Sequence, residues 1–152
     1  MFKVIKKDDE LGAYIEDINL SNISEKTSIG LLSCLAENEV LFFRNQNISP
    51  RDHKRFASFF GNLQTHPAYP TVEGFPEITI LENDRENPSK IEEWHTDMTF
   101  KASPPLGSIL IGRVIPETGG DTLFASLSAA FSDLDKEMQD KLLGLNLSLI
   151  HI

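Results

Sequence analysis

Apolar and polar positions alternate at the start of the chain. Val4 and Ile5, then Ala13, Ile15 and Ile18, carry the apolar side, with Gly12 as punctuation. A period near two predicts strands across residues 2–20. The period then lengthens. Ile29, Leu32, Leu35 and Ala36 fall at helical spacing, and Ser24 stands ahead of them as an N-cap, so a helix is predicted to about Asn38. Val40-Leu41-Phe42-Phe43 is a continuous apolar run and reads as a buried strand. Arg44 to Asn47 turns the chain. Ser49-Pro50 then supplies an N-cap and first helical residue, with Asp52 in the first turn, and Gly61 marks the stop after Phe60. Phe56, Phe59 and Phe60 lie at i, i+3 and i+4, a stripe that belongs to the core. His53 lies off that stripe and is expected in solvent.

Residues 62–76 are broken by Pro67, Pro70, Gly74 and Pro76 and read as a long loop, a length usually tied to function or mobility. Ile78, Ile80 and Leu81 predict a strand. Asn83 to Lys90 is polar, contains Pro88, and is a candidate lid over the stretch around His95. Ser108 to Ile115 is a strong strand pattern, Pro116 to Gly120 a turn, and Asp121 to Ala125 the next strand. Helices are predicted over Ser126–Asp133 and Lys136–Leu143, the second capped by Asp135 and stopped by Gly144. Leu134, Met138, Leu142 and Leu143 give that region an apolar side. Strands with scattered helices predict an α+β fold, not a βαβ repeat.

Composition narrows the partners. The 152 residues are enough for one domain with a core. A net charge of −9 argues against nucleic acid or an anionic membrane, since both select basic surfaces. Cys34 is the only cysteine, which excludes an intrachain disulfide and favours a reducing compartment. With no activating partner in view, Cys34 reads as a small hydrophobe. No apolar stretch is long enough to span a bilayer, and the charged first seven residues do not form a signal peptide. A cytoplasmic enzyme is the expectation.

The chemistry centres on Glu93-Trp94-His95-Thr96-Asp97-Met98-Thr99-Phe100. On extended backbone, residues two apart share a face, which sets the His95 imidazole beside the Asp97 carboxylate. With one further imidazole this is the donor set of a 2-His-1-carboxylate iron site. A His-x-Asp triplet also arises by chance. The flanking bulk of Trp94 and Phe100, and Pro104-Pro105 followed by a strand and a Gly-Gly turn, add weight to the metal reading.

Three patches in order resemble the amino-terminal half of the taurine dioxygenase-like Fe(II)/2-oxoglutarate-dependent oxygenases: His66-Pro67-Ala68-Tyr69-Pro70, Trp94-His95-Thr96-Asp97 leading to Pro104-Pro105, and Thr118-Gly119-Gly120-Asp121-Thr122-Leu123. The resemblance runs from about Leu11 to Gly144. It implies part of a double-stranded β-helix, or jelly roll, with flanking helices. It implies His95 and Asp97 as Fe(II) ligands. Thr122 matches the position whose hydroxyl donates to the distal carboxylate of the co-substrate 2-oxoglutarate. Local sequence alone serves equally well for a β-branched strand residue there. His66 and Tyr69 match positions that bind the anionic head of the substrate, and Gly119 and Gly120 read as turn formers. The implied reaction couples oxidation of 2-oxoglutarate by O2 to hydroxylation of a small organic anion. The Asp97 carboxylate separates this chain from halogenating relatives, which lack it.

Two departures matter. Taurine enzymes carry Asn four residues before the first iron-binding His, and this chain has Ile91 there. An apolar side chain does not replace an amide contact, so the anion is open among sulfonates, sulfate esters and carboxylates. The second departure is that the family's second His ligand and its 2-oxoglutarate-binding Arg lie beyond residue 152. His151 is the only later candidate, and its context, Leu147-Ser148-Leu149-Ile150-His151-Ile152, does not match the family. The expectation is one dioxygenase portion over residues 1–146, a non-native tail over 147–152, and a chain inactive as given. The alternative is a non-catalytic metal- or ligand-binding fragment. A homo-oligomer is possible for the full-length enzyme.

Overall fold

Strand β1 (Lys3–Lys6) pairs antiparallel with β2 (Ala13–Glu16), Val4 opposite Ile15 and Ile5 opposite Tyr14. β2 then pairs in parallel with β3 (Leu41–Phe42). The crossover between them carries helix α1 (Glu25–Asn38), as the change of period predicts. The computed structural model describes residues 2–6, 11–66, 69–84, 86–89, 91, 93–99 and 101–146. They divide into two units. One holds this sheet, α1 and the segment from Leu110 on; the other holds Asn19–Ser24 and Asn47–Ile109.

In the first unit, Ala13, Ile15 and Leu31 are the buried apolar residues. Helix α1 is rotated relative to its predicted stripe. It buries Ser28, Leu31 and Asn38, and leaves Ile29 62% and Leu32 40% exposed. Two local bonds explain why polar groups are tolerated inside. Ser28 Oγ donates to the Glu25 carbonyl at 2.7 Å and Asn38 Nδ2 to the Cys34 carbonyl at 2.8 Å, so neither enters the interior unsatisfied. Gly30 admits the Phe2 ring, which stands 3.3 Å from where a Cβ would be. Cys34 is half-buried, and burial, then Glu37, pushes its thiol up, consistent with a packing role.

The predicted buried strand at Val40–Phe43 is shorter and only half-buried. Its Phe42 packs on Tyr14 and, edge-on at 6.1 Å, on Phe124. Helices α3 (Leu127–Ser132) and α4 (Lys136–Leu143) form where expected, with Ser126 and Asp135 as N-caps and Gly144 after α4. The strands predicted over 108–115 and 121–125 do not form. A β pattern becomes a strand only when a neighbour completes its ladder, and among the described residues none pairs with either run. The first also bends: Ile115 Cδ1 lies 2.6 Å from the place a Cβ on Gly112 would take, which an extended chain forbids.

In the second unit, a 3-10 turn (Leu20–Asn22) leads the buried Leu20 and Ile23 beside the segment of helix α2 (Pro50–Ser58), with Ile48 and Phe56. α2 starts with a full capping box. Ser49 Oγ accepts from the Asp52 amide at 3.2 Å, and Asp52 Oδ2 accepts from the Ser49 amide at 3.1 Å. The Ser49 bonds hold the Asp52 carboxyl below its usual range. Ser49→Ala should therefore destabilise this unit by about 0.5–2 kcal/mol, read from the midpoint of denaturant unfolding.

The region predicted as a loop over 62–76 contains a hairpin, β4 (Thr71–Val72) and β5 (Phe75–Thr79), turned at Gly74 with φ of +77°. The strand expected at 78–81 thus begins earlier and stops at Thr79. Pro76 is tolerated because a two-stranded hairpin leaves one edge of each strand unpaired. Lys54 of α2 reaches Glu77 of β5 at 2.5 Å, and that bond holds the Glu77 carboxyl below its usual range. His53, expected in solvent, is half-buried and its Nε2 donates to the Ile109 carbonyl at 3.2 Å. A residue 56 positions away supplies that acceptor, which local pattern does not reveal.

Candidate functional site

The polar stretch ahead of the His95 segment is closed on itself. Asp84 Oδ1 accepts from the amides of Glu86 at 2.8 Å and Asn87 at 2.6 Å. This is an Asx-type turn. Ile91 comes next, exposed, with its amide donating to Ser89 Oγ at 3.3 Å.

His95 and Asp97 lie outside any strand, yet they come together as predicted. His95 Nε2 stands 3.5 Å from Asp97 Oδ1. Their other atoms are also held. Nδ1 of His95 is 2.8 Å from the Glu93 carbonyl, an acceptor only, so Nδ1–H donates there and Nε2 is the ring nitrogen that faces Asp97. Asp97 Oδ2 accepts from Ser108 Oγ at 3.4 Å. The chain reverses immediately afterwards: Met98 has φ of +56°, the Lys101 amide donates to the Met98 carbonyl at 3.1 Å, and Thr96 and Thr99 join hydroxyls at 2.8 Å. Trp94 is 69% exposed and packs little of its ring against the pair's surroundings. Phe100 lies outside the described residues.

This donor pair fits a first-row divalent ion. Metal–ligand bonds of about 2.0–2.1 Å place two cis donors about 3 Å apart, and a small closure from 3.5 Å reaches that. A ligating His also normally donates its other ring N–H to a carbonyl or carboxylate, which is what Glu93 accepts here. Among the described residues, no third His, Cys, Asp or Glu converges on the pair. His151 lies outside the described residues, with the rest of the 147–152 tail.

His66 and Tyr69 are brought together, ring centroids 4.8 Å apart and tilted by 48°. Pro67 and Ala68 between them lie outside the described residues. Lys101 Nζ donates to Gln64 Oε1 at 2.7 Å, which fastens the turn after Asp97 to the loop that carries His66. Pattern reading does not find Lys101, Gln64 or Ser108. Each acts across 11 or 37 residues, and a lone Lys, Gln or Ser carries no local signal of that. Thr122 belongs to the other unit and is exposed. Gly119 and Gly120 before it take φ of +76° and +71°, the turn-forming conformations expected of them. The residues after Thr122 are anchored by Phe124 on Phe42 and by Ser126 Oγ donating to Glu39 Oε1 at 2.9 Å.

The chain belongs to the taurine catabolism dioxygenase TauD, TfdA family, whose model matches residues 6–151. It is 38% identical over 126 residues to an alkylsulfatase of Acinetobacter baylyi, covering 82% of this chain and 39% of that protein. It is 34% identical over 137 residues to an alpha-ketoglutarate-dependent sulfate ester dioxygenase of Pseudomonas putida, covering 87% of this chain and 45% of that one. Among solved structures, a taurine dioxygenase from Burkholderia xenovorans superposes with a TM-score of 0.80 at 28% identity, over 94% of this chain and 51% of that one. The chain thus spans about half or less of the length of the relatives it matches.

Proposed function

We propose that this chain is part of an Fe(II)- and 2-oxoglutarate-dependent dioxygenase that hydroxylates a small organic anion, with sulfate esters ahead of sulfonates and carboxylates. The observation that carries the reading is the His95–Asp97 pair, with Nε2 and Oδ1 at 3.5 Å and Nδ1 already committed to Glu93. In this reading His95 and Asp97 hold the iron. Thr122 donates its hydroxyl to the distal carboxylate of 2-oxoglutarate. His66 and Tyr69 offer an imidazole and a phenol to the anionic head of the substrate. Bound iron supplies the oxidising chemistry, in which O2 converts 2-oxoglutarate to succinate and CO2 and one oxygen atom enters a substrate C–H bond.

The substrate order rests on two supports. Ile91 stands where an amide contact would suit taurine, and the relatives from Acinetobacter baylyi and Pseudomonas putida are named for alkyl sulfates and sulfate esters. Residues 1–146 form one portion of a single domain in this reading, its full architecture a jelly roll with flanking helices, as the likeness to a taurine dioxygenase structure supports. No helix among the described residues is long and apolar enough to cross a membrane. The lone Cys34 favours a reducing compartment, so the enzyme is cytoplasmic in this reading.

The test is succinate formation by the full-length gene product with Fe(II), O2 and 2-oxoglutarate over a panel of alkyl sulfates, sulfonates and carboxylates. Oxygen inserted at the carbon that bears the leaving group collapses to a carbonyl and expels sulfate from an ester or sulfite from a sulfonate. Sulfate release with the esters is expected. Succinate from none of the panel would remove the basis of the assignment and leave a non-catalytic binding protein.

A further inference from the structure

The Asp97 carboxylate has two chemically equal oxygens, and the side chain is 65% exposed. Rotation about its last torsion is soft, so a free carboxylate would present either oxygen, or both, to a metal. In this chain the two are distinguished. Oδ1 faces His95 Nε2 at 3.5 Å, while Oδ2 lies 3.4 Å from Ser108 Oγ. Ser108 is 11 residues further along and reaches Asp97 through the fold, after the turn at Met98.

We infer that Ser108 is a positioning residue for the metal site, which holds Asp97 Oδ2 so that Oδ1 alone binds the ion. The inference rests on His95 and Asp97 being metal ligands, as proposed for the site. Its consequence concerns coordination number. A facial triad leaves open positions for co-substrate and O2 only while its carboxylate fills one. A carboxylate free to turn and bind through both oxygens would take a second. The Ser108 hydroxyl donates to Oδ2 and occupies that oxygen. The Glu93 carbonyl does the complementary work at His95, where it fixes the tautomer from the far side of the ring. Each half of the ligand pair then has one outer partner, and Ser108 is the partner that a side chain supplies. The 3.4 Å separation is long for a hydroxyl–carboxylate bond.

The experiment titrates Co(II) into the full-length gene product and its variants under calorimetry, with no co-substrate or substrate present. Ser108→Ala is expected to weaken Co(II) binding about 10–100-fold, the usual range for loss of an outer partner. Ser108→Thr, which keeps the hydroxyl, is expected to restore binding to within a few fold. Metal-free melting of both variants is expected to match the parent, because Ser108 is exposed. Unchanged Co(II) affinity in Ser108→Ala would overturn the inference. Equal weakening in Ala and Thr variants would overturn it too, since the loss would follow shape and not the hydroxyl. Asp97→Ala separates this failure from that of the underlying reading. If Asp97→Ala also leaves affinity intact, the metal assignment itself is wrong; if it abolishes binding while Ser108→Ala does not, only the role of Ser108 falls.

Discussion

Asp97→Ala in the full-length protein should abolish succinate formation coupled to substrate, and His95→Ala should do the same. The expected loss exceeds the about 10–100-fold that accompanies removal of an outer partner of a metal ligand, because each of these variants removes a donor atom itself. Asp97 contributes the only negative charge of the pair, and His95 the ring nitrogen Nε2, which faces Asp97 while Nδ1–H donates to the Glu93 carbonyl. Neither change should harm the fold. The two side chains are 53% and 65% exposed, and exposed substitutions away from caps and cores shift stability by no more than about 0.5 kcal/mol. Thermal melts of metal-free variants should therefore overlay the parent while turnover is lost. Activity retained in either variant would mean that the pair is a surface ion pair and the centre lies elsewhere.

Much of this arrangement is legible in the sequence where the signal is local. The α2 start is written in Ser49-Pro50 and Asp52, and the structure returns a capping box on those residues. The two-residue spacing points to the His95–Asp97 approach, though the strand it was argued from does not form and the segment brings the pair together as irregular backbone. The failures share one cause, which is that the deciding partner is distant. Helix α1 turns Ser28, Leu31 and Asn38 inward in place of Ile29 and Leu32, because satisfied polar groups can be buried. An apolar stripe cannot report that. His53 finds the Ile109 carbonyl, and Asp97 finds Ser108, by folding and not by periodicity. The strands expected over 108–115 and 121–125 fail for the same reason. Strand propensity states that a segment suits a sheet and says nothing of whether a neighbour is there to complete it.

Those runs, which join no strand among the described residues, give the second large effect: the 152-residue chain on its own should self-associate or precipitate. Within the first unit, Leu110 is 64% exposed, Val114 91%, Ile115 74%, Leu123 71% and Leu143 73%. Each such side chain, if fully covered, would contribute roughly 1.5–3 kcal/mol, and a whole domain holds only about 5–15 kcal/mol in reserve. Five of them left in water are therefore a strong drive toward any surface that covers them. The runs are also rich in β-branched and apolar residues, and their backbone groups lack a ladder, so edge-to-edge pairing between copies answers both needs at once. The net charge of −9 slows approach between copies, but it supplies neither apolar contact nor hydrogen-bond partners. Light scattering on the isolated chain should report species well above 17.0 kDa. Paired charges at the most exposed positions, Val114→Lys with Ile115→Lys, should shift the population toward smaller species, because like charges oppose stacking of the same segment. A monodisperse 17.0 kDa monomer with a sharp cooperative melt would show that these side chains are stable in water as they stand.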